Sequence, residues 1–543
     1  MSIKYILTIN NPHQHYVHVS VSLQLDSEGR AAIFMPSWSP GSYLLREYAR
    51  LVRKLEVLDS SGSHIELIQS SKGSWSIFAG ADKANQNVEV CYEVYCHELT
   101  VRTSYVDSEF AFIHGPSVFM GVEHLLNEGV ELEVRFPSSW SKISTGLKDV
   151  STHRGKFLYA SENYDDFIDC PLQIGCHDTD GFKVQGKEHE VAFYGESVSH
   201  DRNLKADIQK IVEHIADYMG DIPYDRYVFM THLVQGLYGG LEHKNSTALQ
   251  FCSRGFAKDK DYLNWLCLVS HEYFHTWNVK RIKPKRFMPY DFMKESPTTL
   301  LWVFEGFTSY YDDLILLRSG LTSIDDFLEV LGINTTRVYR IAGTNKQTLC
   351  ESSYDAWVKL YRQDENAPNS QVSYYAKGAL VALNLDIKLR LESKISLDDI
   401  MIELWERYGQ KNIGVPESAV EELVIELSGL DLKQFFDDNL RKTGFPPLRE
   451  LLKGFGVNMK TRTEVKNLDK GGTYSSIDRG AGGDLGVRYA KGSSGVKLHW
   501  VYDGGAAQKC GLSAGDEIIA IDGIKVNVSS IFQFVNFSLK ICH

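Results

Sequence analysis

The stretch Ser270-His271-Glu272-Tyr273-Phe274-His275-Thr276-Trp277 constrains this chain more than any other. Its H-E-x-x-H spacing sets two imidazoles four residues apart, which on an α-helix is one face, one turn above the other. His271 and His275 can then aim two ring nitrogens at a single metal ion. Glu272 falls about 100° round the helix from His271, beside such an ion rather than on it, where a carboxylate serves as general base toward water. Tyr262, Leu263, Leu266, Cys267 and Val269 give the preceding residues an apolar side at helical spacing, and no proline follows until Pro284. The motif also arises by chance in chains of this length, so its weight depends on what accompanies it.

With 543 residues the chain has room for about three domains. A composition 43% hydrophobic and 24% charged is that of a folded globular protein. The formal charge of −12 argues against sequence-independent nucleic-acid binding and against adhesion to anionic membranes. No apolar run approaches the roughly 20 residues of a membrane span. The start, Met1 to Thr8, lacks the long apolar core of a signal peptide. The nine cysteines are scattered without framework spacing, and a cytoplasmic location with reduced thiols is the expectation.

The first 170 or so residues read as β-structure. Val17, Val19, Val21, Leu23 and Leu25 alternate with polar or small residues, as do Val88, Val90, Tyr92, Val94 and Cys96, and Val130, Leu132, Val134 and Phe136. A sandwich is the expected arrangement. Pro36-Ser37-Trp38-Ser39-Pro40-Gly41-Ser42-Tyr43 interrupts it as a rigid loop with exposed-looking aromatics, either a structural turn or a substrate-facing one. From about residue 200 the period changes to 3.6, with Leu204, Ile208, Ile211 and Ile215 on one face. The strand-like Tyr227 to Met230 leads to Gly239-Gly240-Leu241-Glu242-His243. Gly239 and Gly240 would let a substrate backbone lie along the strand edge, with Glu242 either presented to it or a solvent-exposed turn acid. The basic run Lys280, Arg281, Lys283, Lys285 and Arg286 reads as a solvated face, with a charge near a substrate carboxylate as the alternative.

Thr298 to Ser319 predicts a further helix containing Glu305 between Phe304 and Gly306. A glutamate among apolar residues needs a cation if buried, and two neutral imidazoles plus one carboxylate make a three-ligand zinc set with a position left for water. Tyr374 and Tyr375 open the apolar helix that follows Ser373; such a tyrosine is either core packing or, if it faces the metal, a donor to a developing oxyanion. Glycines from Gly471 to Gly495 mark a flexible crossing. Beyond it, strand-like runs such as Leu485 to Tyr489 and Val496 to Val501 predict a small β module.

Three separated segments share one family pattern: His-Glu-x-x-His-x-Trp at 271–277, Glu-Gly-Phe-x-Ser-Tyr at 305–310 and Tyr-x-Lys-Gly at 375–378 resemble gluzincin aminopeptidases of the aminopeptidase N group. Gly239-Gly240-Leu241-Glu242-His243 is similar to their exopeptidase strand, with Leu241 in place of Met and His243 in place of Asn. His-Thr-Trp-Asn-Val-Lys-Arg at 275–281, Pro-Gly-Ser-Tyr at 40–43 and the C-terminal module resemble the glycyl aminopeptidase family more closely. The resemblance implies one zinc ion on His271, His275 and Glu305, Glu272 as base, Glu242 holding the substrate's free α-amine, and Tyr375 (with Tyr374 as rival) steadying the tetrahedral intermediate. It implies a multidomain α+β fold: an N-terminal β-sandwich over 1–170, a thermolysin-like, mainly α-helical catalytic domain over 171–460, and a glycine-rich linker with a PDZ-like module over 461–543. That module is short after Gly523, where a PDZ fold still needs a helix and a closing strand. The 30 positions between His275 and Glu305 exceed those of aminopeptidase N and suit the glycyl family.

The expected function is a zinc-dependent aminopeptidase acting on peptides with a free N-terminus and preferring Gly or Ala. An endopeptidase that recruits protein C-termini through the PDZ-like module is the second reading. A peptide-binding scaffold with a structural or vestigial zinc site is the third.

Overall fold

The computed structural model describes residues 2–153, 155–195, 202–464, 469–473, 484–531 and 534. They form two compact units, Met1–Arg281 with Pro289–Ser296, and Ile282–Met288 with Pro297–His543.

The first unit begins with a seven-stranded sheet in the order Lys148–Asp149, Phe157–Ser161, Gly129–Arg135, Ser2–Thr8, Tyr16–Gln24, Asn87–Tyr95 and Val52–Leu58. The alternation in sequence becomes alternation of faces. Val17, Val19, Val21 and Leu23 all point into the core, as do Val88, Val90, Tyr92 and Val94 opposite them. A four-stranded sheet built on Arg30–Phe34 and Ser74–Phe78 adds Ile33, Trp75 and Ile77 to the same core. Each such buried side chain contributes about 1.5–3 kcal/mol, so a one-residue register slip in any of these strands would be strongly disfavoured.

A five-stranded mixed sheet closes the unit, ordered Asp178–Val184, Lys187–Tyr194, Arg226–Leu233, Ser246–Phe251 and Gly239–Glu242. Its three middle strands run parallel and Gly239–Glu242 is an antiparallel edge strand. The helix Leu204–Met219 starts on the Asn203 cap, whose side chain accepts from the Ala206 N–H, and stops at Gly220 in the left-handed region. The helix Asp259–Phe274 buries Tyr262, Trp265, Leu266, Val269 and Tyr273 at three- and four-residue steps, and His275 is its C-cap.

The second unit is helical and then β. Its helices include Leu301–Phe304, Gly306–Arg318, Ile324–Arg340, Tyr374–Glu392, Leu397–Leu404 and Ala419–Ser428. The single helix expected from Thr298 to Ser319 is two, broken at Glu305. There follow a three-stranded antiparallel sheet of Val487–Lys491, Val496–Val501 and Glu517–Ile518, and a short hairpin of Ala520–Ile521 with Ile524–Lys525. Val487, Val496, Leu498, Ala507, Val526 and Ile531 form their own small core. Much of the expected glycine-rich crossing (465–468 and 474–483) and of the expected closing segment (532–533 and 535–543) lies outside the described residues. Among the described residues no helix is long and apolar enough to cross a membrane.

Candidate active site

In the first unit the helix Asp259–Phe274 and the edge strand Gly239–Glu242 present the predicted chemistry together. The rings of His271 and His275 stand 4.7 Å apart at 86° to one another. His275 is buried and its Nδ1 lies 2.6 Å from the Asn278 carbonyl oxygen. Nδ1 therefore carries the proton and donates it, which leaves the Nε2 lone pair for a metal. Glu242, Glu272 and His275 each offer a ligand atom within 4.8 Å of the others, and all three are buried. Two acids and an imidazole at that spacing fit a site that receives cations.

Backbone shape explains the glycines. A Cβ on Gly240 would sit 2.1 Å from Glu272 Oε1, so only glycine lets the strand pass that carboxylate. A Cβ on Gly41, whose φ is +86°, would fall 2.4 Å from both carboxylate oxygens of Glu242. The loop 36–43 thus abuts Glu242, and its Trp38 and Tyr43 are fully buried rather than exposed. Glu242 Oε1 is buried with no hydrogen-bond partner among the described residues, so the solvent-exposed turn acid is excluded.

The solvated reading of the basic run fails for its first members. Lys280 is 2% exposed, with Nζ 2.7 Å from Asp169 Oδ1. Asp169 also lies 3.1 Å from His243 Nδ1 and accepts from the Lys244 N–H at 2.8 Å. Burial alone would push the Asp169 carboxyl up, but the Lys280 charge and the His243 bond outweigh it and hold it below the ordinary carboxylate range. Burial pulls the Lys280 ammonium down, and the charges of Asp169, Tyr290 and Glu242 more than reverse that. Arg281 donates to the carbonyls of Lys244, Thr276 and Pro223 at 2.8–2.9 Å and to Asn245 Oδ1 at 3.1 Å. It ties the end of the helix Asp259–Phe274 to the turn after Glu242. Lys285 and Arg286 are exposed as expected.

Sequence reasoning missed Arg102. Its Nη2 donates to the Gly240 carbonyl at 3.0 Å, and its own carbonyl accepts from the Tyr48 hydroxyl at 2.7 Å. Arg102 lies 138 residues from Gly240 in a polar turn, with no periodicity or motif to single it out.

In the second unit, Glu305 is 2% exposed at the break between its two helices. A Cβ on Gly306 would lie 2.7 Å from the Gly378 Cα, and one on Gly378 would lie 2.9 Å from the Gly306 Cα. The paired glycines let the two helices cross backbone to backbone, which brings Glu305 near Tyr374. Burial first, then the Tyr361 phenol and the Glu305 charge, push the Tyr374 phenol well above 10. Tyr374 is fully buried, whereas Tyr375 is half-buried and its hydroxyl shares a 3.0 Å hydrogen bond with that of Tyr361. Lys377 is buried with no hydrogen-bond partner among the described residues, and burial lowers its ammonium to about 8.

Residues 4–176 match the family model of the Peptidase M61 N-terminal domain, and residues 264–381 match that of the M61 glycyl aminopeptidase. The solved structure of an aminopeptidase N family protein from Idiomarina loihiensis is 35% identical, with a TM-score of 0.93 over 98% of this chain and 92% of that one. The chain belongs to the M61 glycyl aminopeptidase family. With membership comes the enzyme class, zinc aminopeptidase. An M1 zinc metallopeptidase from Deinococcus radiodurans shares the fold at a TM-score of 0.55 and 13% identity, over 82% of this chain and 95% of that one. A mutant of the same enzyme, with a TM-score of 0.53 and 12% identity over the same shares, was solved with a Tyr-Ser-Ala substrate. No curated protein sequence matches the chain.

Proposed function

We propose that this enzyme removes small N-terminal residues, Gly and Ala above others, from peptides with a free α-amine. One zinc ion is assigned to His271, His275 and Glu305 on their match to the family's motifs, and the fixed tautomer of His275 supports its part in that set. Zinc bound there supplies a Lewis acid for the scissile carbonyl and brings the pKa of its water toward ~7.

The chain's own residues do the rest. Glu272 takes the proton of the attacking water and passes it to the leaving amine. Glu242 pairs with the substrate α-ammonium, which fixes the scissile bond one residue from the N-terminus. Gly239–Glu242 is the outer strand of its sheet, alongside which an extended peptide can lie, and Arg102 steadies it through the Gly240 carbonyl. Tyr375 donates to the oxyanion as it forms. Its partial exposure supports this role over Tyr374, which is wholly buried beside Glu305. The strands after residue 484 support a PDZ-like module, and the reading places the enzyme in the cytoplasm.

One observation carries the exopeptidase reading: buried Glu242 lies within 4.8 Å of both Glu272 and His275. An amine anchor that close to the base leaves room for a single residue. The test is a panel of free and Nα-acetylated peptides, with and without chelator. Hydrolysis of free peptides alone, abolished by chelator, is the expected result. Cleavage of the acetylated peptides at internal bonds would replace the reading with an endopeptidase.

A further inference from the structure

A cavity of about 400 Å³ lies wholly within the second unit, between the helix Ile324–Arg340, the start of the helix Tyr374–Glu392 and the strands Val487–Lys491 and Val496–Val501. A volume of that order is typical of small-molecule sites. Four cations line it, Arg337, Arg340, Lys470 and Arg488, and no acid does. Glu464 pairs with both Arg340 and Arg488, at 2.7 and 2.8 Å, and the Asp469 carboxylate is taken up by Arg462. Arg337 and Lys470 have no ion-pair partner among the described residues. One shared carboxylate against four cations leaves the cavity strongly positive.

Charge alone would suit any anion, and the rest of the lining narrows the class. Asn334, Gln363, Gln371, Ser373 and Tyr502 set amides and hydroxyls among the cations. The Gln371 Oε1 is buried with no hydrogen-bond partner among the described residues. A buried acceptor ordinarily has one, and a ligand hydroxyl would supply it. Trp500, 39% exposed, adds an accessible aromatic ring suited to a flat group.

The walls are fixed to one another. Asn369 is buried, donates to the Val501 carbonyl at 2.8 Å and accepts from the Asp503 N–H at 2.9 Å. The strands that carry Arg488 and Trp500 are thereby pinned to the helical part of the unit. Arg340 donates to the Asp469 carbonyl, one residue before Lys470, so the paired and the unpaired cations are held together.

We propose that this cavity binds a small phosphate monoester whose body carries hydroxyl groups and a planar ring, a ligand of the nucleoside monophosphate class. Two unpaired cations match a phosphate monoester, with its charge of about −1.5 to −2 at pH 7, better than they match a single carboxylate. The Gln371 amide meets a hydroxyl and Trp500 meets the ring. The site uses residues of the second unit alone and stands independently of the aminopeptidase reading.

The test is isothermal titration calorimetry on the zinc-loaded full chain with AMP, adenosine, inorganic phosphate and phthalate. AMP should bind once per chain, more weakly as salt rises, with adenosine and inorganic phosphate each weaker by about tenfold or more. Arg337→Ala/Lys470→Ala should weaken AMP by about tenfold or more at an unchanged melting temperature. Trp500→Ala should weaken AMP and leave inorganic phosphate as it was. Absence of AMP binding overturns the proposal, as does equal AMP affinity in the double variant and the unmodified chain, which would put the ligand elsewhere. Inorganic phosphate or phthalate binding as tightly as AMP would overturn the assigned ligand class.

Discussion

Substituting alanine for Gly240 tests the placement of the base with a single methyl group. The new Cβ would meet Glu272 Oε1 at 2.1 Å, Cδ at 2.4 Å and Cγ at 2.6 Å. Restoring ordinary contact at 3.4 Å requires the carboxylate to move by about 1.3 Å. The clashing atoms are the far end of a flexible side chain, so Glu272 shifts more readily than the strand, and stability should change by less than about 1 kcal/mol. A misplacement of that size costs on the order of 10²-fold in rate. Gly240→Ala should thus keep its zinc and its melting temperature while kcat falls about 10²-fold, read by steady-state kinetics, metal analysis and thermal unfolding on one preparation. A variant with unimpaired kcat would refute the assignment of Glu272, or the claim that Gly240 fixes its position.

Gly41→Ala puts a methyl against both oxygens of Glu242 at a left-handed φ, so KM for free-amine peptides should rise with a stability loss of about 1–2 kcal/mol. Tyr375→Phe should lower kcat by on the order of 10²-fold with little change in KM, and Tyr374→Phe should lower it far less. Lys280→Met strands the buried Asp169 carboxylate, and chemical denaturation should show a loss of about 3–5 kcal/mol. Burial lowers His177 and His189 to about 4 and His232 to about 3. Unfolded imidazoles take up protons below about 6.5 where these folded ones do not, so thermal stability should fall as pH drops from 6.5 toward 4. A melting temperature flat over that window would contradict their burial as neutral rings.

The sequence was most legible where one short-range rule governs. Alternation at Val17 to Leu25 and Val88 to Cys96 reports a sheet face directly, and His271 and His275 report a helix face. It was least legible where the partner is distant. Nothing near Lys280 announces Asp169, 111 residues earlier, so a run of cations read as solvated although its first members are buried. Trp38 and Tyr43 sit in a proline- and glycine-rich loop, which suggested exposure, but Gly41 lets that loop press against Glu242. The break at Glu305 escaped the apolar pattern from Leu300 to Ile315, since periodicity cannot show that Gly306 must meet Gly378. Arg102 acts through one carbonyl contact and left no trace in the sequence.

Zinc content per chain, measured by mass spectrometry on extensively dialysed protein, tests the central claim most directly. One zinc ion should remain in the unmodified chain and in Glu272→Gln, the latter without turnover, and none in His271→Ala, His275→Ala or Glu305→Ala. A full complement of zinc in Glu305→Ala, with activity retained, would contradict the proposed ligand set and the mechanism built on it.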